Sequence, residues 1–455
     1  MHKYFLRYAE PESATARELP DAFRWAHVLV IPVCNESTGV LRSPPTGAGR
    51  SLLILVINQP PGAGHEVGEN NRQLAAAIRK RFEPVWGSPV RSAEAVGPCA
   101  MQLFSDHTAE RDILLIDRYS PGRELPPKGG VGHARKVGAD VAAALIERGS
   151  IVAPWIHCSD GDVELPDTYF TAIETARPDE TSCSALIYPF RHVAAGEETT
   201  DPGVLQATQL YECSLRYYRA GLGFAGSPYA FHTIGSTLAI NAAHYASVRG
   251  FPRRNAGEDF YLLNKLAKVG TVRELEAGPG CRPIRIAARR SDRVPFGTGA
   301  AVGQMIDSSE PLEQHRFYHP AIFHLLKAWL ASFDTVWDSR DARFQASVSL
   351  KRSDGVEGSV ARRCLLDVLD ELGAERAFQH AFAQSSDRSQ FKRQMHTWFD
   401  AFRTLKLVHG LRQRAFASLP YRQLISEPMV SDLIPFDPGF ERFEFQPRTG
   451  SGYND

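Results

Sequence analysis

Net charge is missing from this chain. Its 455 residues carry 52 Lys plus Arg against 52 Asp plus Glu, with no long basic run, so the electrostatic footprint of a duplex-binding protein is absent and nucleic acid is excluded as a partner. Long apolar runs are also missing. The most apolar stretch, 321–333, is 13 residues long and holds His324 and Lys327, short of the ~20 residues a membrane-spanning helix needs. The first residues, MHKYFLRYAEPESATARELP, contain no apolar core ahead of a small-residue cleavage site, so no secretory signal is expected. The seven cysteines, at 34, 99, 158, 183, 213, 281 and 364, form no C-x-x-C pair and no disulfide framework, which fits a reducing compartment. Together these absences predict a soluble, cytoplasmic protein. The 43% hydrophobic and 23% charged content is ordinary globular usage; it supplies a sizeable core and rules out disorder and collagen-like repeats. The length predicts two to four domains.

Short aliphatic runs punctuate the first half: Val28 to Val33, Leu52 to Ile57, Ile113 to Ile116, and a fourth from Ile151 to Cys158. Each is nearly continuous, as in strands of a mostly parallel sheet covered on both faces. Between them, Leu74, Ala77, Ile78 and Phe82 share one helical face, and Ala134, Val137, Val141 and Leu145 another. The alternation predicts a doubly wound α/β fold. After about Asp307 the strand-like runs give way to helical stripes, Leu365, Val368, Leu369 and Leu372, then Phe391, Met395, Trp398, Phe402 and Leu405. The expected organisation is an extension over 1–24, an α/β domain over 25–306 and a helical C-terminal region over 307–455, with a loop over 339–358.

In open α/β sheets ligands bind beyond the carboxyl ends of strands. The fourth run leads directly into Ser159-Asp160-Gly161-Asp162. Two carboxylates flanking a glycine can turn toward one hard divalent cation, whose shell is completed by water and substrate phosphate; the plainer alternative is a solvated turn. A second acidic pair, Glu258 and Asp259 in AGEDFYLLNKL, opens a helix that ends near Gly270. Acids there suit the helix dipole, and a helix start is also a place for a general base. Tyr211, Glu212, Arg216, Tyr217 and Tyr218 fall on a helix before a Gly221–Gly226 loop, where aromatic rings can stack on an acceptor or edge the core.

The run VLVIPVCNES (28–37), the block KGGVGHARKVGADVA (128–142), the strand-end SDGD and GEDFYLLNKL, in that order, resemble the family 2 glycosyltransferases over about residues 25–305. The resemblance implies a GT-A fold, a nucleotide-diphosphate sugar donor, Mn²⁺ or Mg²⁺, and an acceptor hydroxyl; the expected chemistry is single displacement with inversion, and retention stays open because the same fold hosts both outcomes. Carried over residue by residue, it implies Pro32, Asn35 and Glu36 at the rim of the nucleotide pocket, Lys128 and Arg135 approaching the nucleotide and sugar, Asp160 and Asp162 as metal and diphosphate residues, and Asp259 as base with Glu258 beside it. Asn58 stands where many members carry an Asp that holds the base or ribose, which changes the donor and acceptor pattern offered there. In the segment SDRVPFGTG (291–299), Arg293 is either a partner for the diphosphate or a surface arginine of a domain-exit loop. The processive synthases' Q-x-x-R-W motif is missing; the nearest sequence is Gln314-His315-Arg316-Phe317. The acceptor is left open. The helical region has two possible roles, shaping an acceptor pocket or forming a homo-oligomer surface. A sugar-1-phosphate nucleotidyltransferase would need a glycine-rich basic loop after the first strand, where Pro32-Val33-Cys34-Asn35-Glu36 stands instead. A non-catalytic, glycan-binding scaffold would have no need of the four acids.

Overall fold

In the computed structural model the aliphatic runs form the middle of one nine-stranded sheet. The described residues are 1–41, 49–88, 101–194, 201–289, 298–306, 310–346, 348 and 359–437. They divide into two units, the first drawn from Met1–Ala195 and Thr233–Ala287, the second from Gly196–His232 and Thr298–Asp455.

The first unit contains β1 (His27–Val33), β2 (Ser51–Asn58), β3 (Glu83–Gly87), β4 (Met101–Asp106), β5 (Arg111–Arg118), β6 (Trp155–Cys158), β7 (Val163–Glu164), β8 (Cys183–Ile187), β9 (Phe190–Ala194), β10 (Leu238–Asn241), β11 (Thr271–Glu274) and β12 (Ile284–Ala288). Across the large sheet the order is β11-β8-β10-β6-β1-β2-β5-β4-β3, and β7, β12 and β9 make a small second sheet. The middle strands β6, β1, β2 and β5 are parallel, while β10 and β4 run against their neighbours. From β1 the chain builds outward through β2 and β5, then returns to lay β6 on the other side of β1. The reversal of direction makes the carboxyl ends of β1 and β6 a topological switch point, where such sheets open a crevice.

Ser159 donates its N–H to the Val30 carbonyl, so even-numbered residues of β1 turn their backbone polar groups toward β6. Pairing with β6 stops at Val30. Pro32, with the same parity and no N–H to offer, falls where that partner has already ended, which is why a proline is tolerated in a central strand. It is buried and opposite Val56, inside the strand rather than at the rim the resemblance implied. The fourth strand likewise starts later than expected, at Trp155, and Ile151 makes only an isolated bridge to Trp25.

The helices α1 (His2–Arg7), α2 (Glu12–Ala16), α3 (His65–Arg81), α4 (Gly130–Glu147) and α5 (Thr171–Ala176) dress this sheet. Leu29, Ile31, Leu53 and Leu55 pack with Leu74 and Ile78 of α3. The alternate residues Val30 and Val56 meet α4 so closely that a Cβ on Gly138 would lie 2.4 Å from Val30 Cγ1. Each fully buried aliphatic side chain in such a core contributes roughly 1.5–3 kcal/mol. The first 24 residues belong to this unit rather than extending from it. Asp140 of α4, fully buried, accepts hydrogen bonds from the Glu10 N–H at 2.7 Å, the Tyr245 hydroxyl at 2.7 Å and Lys136 Nζ at 2.9 Å, and also from the Tyr4 hydroxyl. Burial would raise the pKa of Glu10, but hydrogen bonds from His133 and Arg253 outweigh it and hold the carboxyl down to about 2.

The second unit is helical, as the periodicity predicts, but its membership differs. It takes in α6 (Pro202–Phe224), lying between β9 and β10 in the chain, while α7 (Ala242–Ser247) and α8 (Glu258–Leu266) return to the first unit. The rest comprises α9 (Thr298–Ile306), α10 (Pro311–Gln314), α11 (Ala321–Ser339), α12 (Ser359–Leu372), α13 (Ala374–Gln384), α14 (Arg388–Trp398), α15 (Ala401–Arg414) and α16 (Tyr421–Ser426). The expected Gly221–Gly226 loop is mostly helix: α6 runs on to Phe224, because Gly221 lets the Phe323 ring approach to 2.4 Å from where its Cβ would be. Tyr217 and Tyr218 pack against Phe323 as core. The stripe from Phe391 to Leu405 breaks at Asp400, whose side chain caps α15 by accepting from the Arg403 N–H at 3.0 Å, and Phe402 is left exposed. Trp329 is fully buried, in edge contact with Phe333, Phe344, Phe378 and Phe399. Among the described residues no helix is long and apolar enough to cross a membrane.

Candidate active site

At the end of β1 the chain turns through Asn35, in the left-handed region at φ 57°, which Asn tolerates better than most residues. Its N–H donates to Asn71 Oδ1 at 3.1 Å and its Oδ1 accepts from Asn70 Nδ2 at 2.7 Å. Asn71 Nδ2 donates onward to the Asn58 carbonyl at 3.1 Å, while Asn58 Nδ2 donates to the carbonyls of Val33 at 2.9 Å and Val56 at 3.1 Å. These amides brace the carboxyl ends of β1 and β2 against α3. The nitrogen of Asn58 is thereby occupied by backbone. Glu36 follows, and a Cβ on Gly161 would come to 3.0 Å from Glu36 Cγ. Glycine at 161 therefore lets the turn after β6 pass against the turn after β1.

That second turn carries Asp160 and Asp162. Asp162 is half-buried, and its carbonyl accepts from the Ala287 N–H at 3.3 Å, tying the turn to β12. Beneath the turn lies Arg135 of α4, with a side chain 2% exposed. It donates from Nη2 to Asp160 Oδ1 at 2.8 Å, from Nε to Glu258 Oε1 at 3.1 Å, and from Nη1 to the carbonyls of Ser159 and Gly235, both at 3.2 Å. One planar guanidinium thus joins the end of β6, the segment before β10 and the start of α8, a fork geometry Lys could not reproduce. Burial disfavours its charge, but the carboxylates of Asp160 and Glu258 outweigh burial and raise its pKa above the ordinary arginine value.

Glycines make this junction possible. A Cβ on Gly132 would lie 2.6 Å from the Arg254 carbonyl and 2.9 Å from Glu258 Cβ, and one on Gly235 would lie 2.9 Å from Arg135 Nη2. Gly257, at φ 72°, turns the chain into α8. The two acids of α8 then separate in character. Glu258 exposes 5% of its side chain and is the counter-ion of Arg135. Asp259 is half-buried; desolvation and the neighbouring Glu258 carboxylate push its carboxyl up to about 7, where a group can both take and hold a proton near neutrality. Asp160 exposes 37% of its side chain, so of the two carboxylates on Arg135 it is the one open to a ligand.

The structure therefore gathers Asn35, Glu36, Arg135, Asp160, Asp162, Glu258 and Asp259 around the switch point. Asn58 sits just behind them. Lys128 is exposed and joins none of these contacts, and Arg293 lies outside the described residues. Sequence reasoning missed the part played by Gly132, Gly235 and the Ser159 carbonyl. The only trace of them is small residues in GVGHAR and IGST, a signal too common to single out. Among the described residues, no three His, Cys, Asp or Glu side chains are gathered to hold a metal unaided.

No family model and no curated protein matches the chain. Among solved structures it is similar to the mannosyltransferase PcManGT from Pyrobaculum calidifontis, in complex with GDP-Man and Mn2+, covering 97% of this chain and 95% of that one at 13% identity and a TM-score of 0.34.

Proposed function

We propose that this chain is a GT-A glycosyltransferase of the family 2 kind, moving a sugar from a nucleotide-diphosphate donor to an acceptor hydroxyl with inversion. The observation that carries the reading is the Arg135 bridge, which holds a ligand-accessible acid after β6 and a buried acid at the start of α8 on one guanidinium, at the place where an open α/β sheet binds ligands. In this reading the amide-braced turn of Asn35 and Glu36 receives the nucleotide, with Asn58 supporting it from behind. Asp160 and Asp162 face the diphosphate. Their hard oxygen donors fit Mn²⁺ or Mg²⁺, provided that phosphate oxygens complete the shell. When bound, such a cation would neutralise the leaving diphosphate.

Asp259 is the base. Its raised pKa suits removal of the acceptor proton as the hydroxyl attacks the anomeric carbon from the face opposite the diphosphate. Glu258, paired with Arg135, is a positioning residue, and so is Arg135, which spends four of its five N–H groups on protein acceptors. The nucleotide approach that the resemblance implied for Arg135 is in this way an indirect one, through Asp160.

The test is a thermal-shift panel of UDP, GDP, CDP and dTDP sugars with and without Mn²⁺. A ligand at 100 times its Kd stabilises by ~2.7 kcal/mol, so one sugar nucleotide is expected to raise the melting temperature in a metal-dependent way. Asp160→Ala and Asp162→Ala are expected to abolish that shift while leaving the unliganded fold cooperative. No response to any sugar nucleotide would overturn the reading.

A further inference from the structure

A cavity of about 460 Å³ lies among α12, α13 and α14 of the second unit. It opens where α12 passes into α13 at Gly373, in the left-handed region at φ 81°, and its far wall is α14. Its size is that of a small-molecule site. The cavity exists because α13 presents Ala377 and Ala381, one turn apart, where larger apolar side chains would fill the groove. Arg376 and His380, also one turn apart and exposed, stand on the same helix. Gln394 and Trp398 of α14 share the opposite wall. The indole is held in place: Arg403 stacks over it at 4.9 Å and donates from Nη1 to the Trp398 carbonyl at 2.6 Å. Among the described residues, neither Arg376 nor His380 has an acidic partner within ion-pair distance.

An apolar floor, an immobilised aromatic wall, a side-chain amide and an unneutralised arginine make a specific set of demands. The aromatic face and the alanine floor suit the C–H face of a sugar ring. The amide suits its hydroxyls, and the fork of Arg376 suits a carboxylate, which it can hold by paired charge-assisted hydrogen bonds. We infer that this cavity binds an acidic saccharide, a uronic acid unit of the acceptor glycan. The inference rests on the glycosyl-transfer reading for the word acceptor, though not for the binding itself.

The experiment is calorimetric titration of the full chain with trigalacturonate, with maltotriose as the neutral ligand of equal length, and with inorganic phosphate as competitor. Trigalacturonate is expected to bind, maltotriose to bind at least about tenfold more weakly, and Arg376→Ala to weaken trigalacturonate by about tenfold or more, the worth of a charge-assisted hydrogen bond. Trp398→Phe, which keeps an apolar ring, is expected to weaken it less. Arg376 is exposed, so its variant tests binding without risking the fold. Equal affinity for the two trisaccharides, full displacement by phosphate, or undiminished binding by Arg376→Ala would each overturn the inference. Thermal shifts by sugar nucleotides measured on the same Arg376→Ala protein separate the two readings. A retained donor shift without saccharide binding sinks only this site, whereas saccharide binding by a protein that answers to no sugar nucleotide sinks only the transferase.

Discussion

Desolvation and the neighbouring Glu258 carboxylate raise the Asp259 carboxyl above the ordinary Asp range. As a general base it acts only when deprotonated. Its turnover is therefore expected to fall as pH drops through about 7, giving an acidic limb in kcat/KM. Asp259→Asn preserves shape but cannot accept a proton; donor affinity is expected to stay while turnover falls about 10²- to 10⁴-fold, and the acidic limb should vanish. Turnover within a few-fold of the unaltered protein would place the base elsewhere. Arg135 invites the opposite manipulation. Arg135→Met leaves the Glu258 carboxylate buried without its counter-ion, a change that costs about 3–5 kcal/mol. An uncompensated buried acid takes up a proton more readily when folded than when unfolded, so the loss is expected at pH 8 and partly regained at pH 5. Thermal melts at the two pH values check this, and equal destabilisation at both would argue that the arginine acts by packing alone.

Among the elements, α4 is the one that the rest of the first unit is built against, and Gly138 is where it presses closest. Alanine there would gain about 1 kcal/mol of helix propensity, yet its Cβ would meet Val30 Cγ1 at 2.4 Å. Val30 is a stiff β-branched side chain in a central strand and cannot yield, so overpacking of about 1–3 kcal/mol wins. Gly138→Ala is accordingly expected to lower the urea midpoint with an unchanged slope. The helix itself was readable from the spacing of Ala134, Val137, Val141 and Leu145, and so were β1, β2 and β5, because an aliphatic run covered on both faces announces itself. β8 and β10 were not. Their five- and four-residue sequences, Cys183–Ile187 and Leu238–Asn241, become strands through partners distant in the chain, β10 and β11 for β8, β6 and β8 for β10, and no local pattern encodes a partner. The same holds at the site. The acids of SDGD and GED could be picked out by their place after a strand and at a helix start, and Arg135 by the resemblance, but its role as a bridge is not legible until folding brings Glu258, 123 positions later, within 3.1 Å.

For the whole molecule, the division into units explains a boundary that composition placed wrongly. Loss of strand-like runs near 307 marks the end of one pattern, but residues 196–232 had already crossed into the helical unit, because the buried face of α6 is completed by Phe317 and Phe323, more than a hundred residues further on. In the second unit, burial pushes His315 and His396 down to about 4 and lowers His319 and His409. A histidine kept neutral by folding binds fewer protons folded than unfolded, so stability is lost as pH falls below ~6.5; a group held at about 4 costs about 3 kcal/mol by the time both forms are protonated. Hydrogen exchange followed by mass spectrometry is expected to show α14 and α15 losing protection as pH falls from about 7 to about 5. Protection unchanged over that range would refute the expectation.

Pro32 has a consequence for motion. Elsewhere in a parallel sheet two neighbouring strands can lengthen their ladder by a residue or two as loops fluctuate, and a cleft between strand ends can seal itself in that way. Here the next rung toward β6 has no donor, since Pro32 has no N–H to give the Ser159 carbonyl, which accepts from Arg135 instead. A single ring thus disfavours closure of the seam and frees a backbone acceptor for the arginine that joins the two acids.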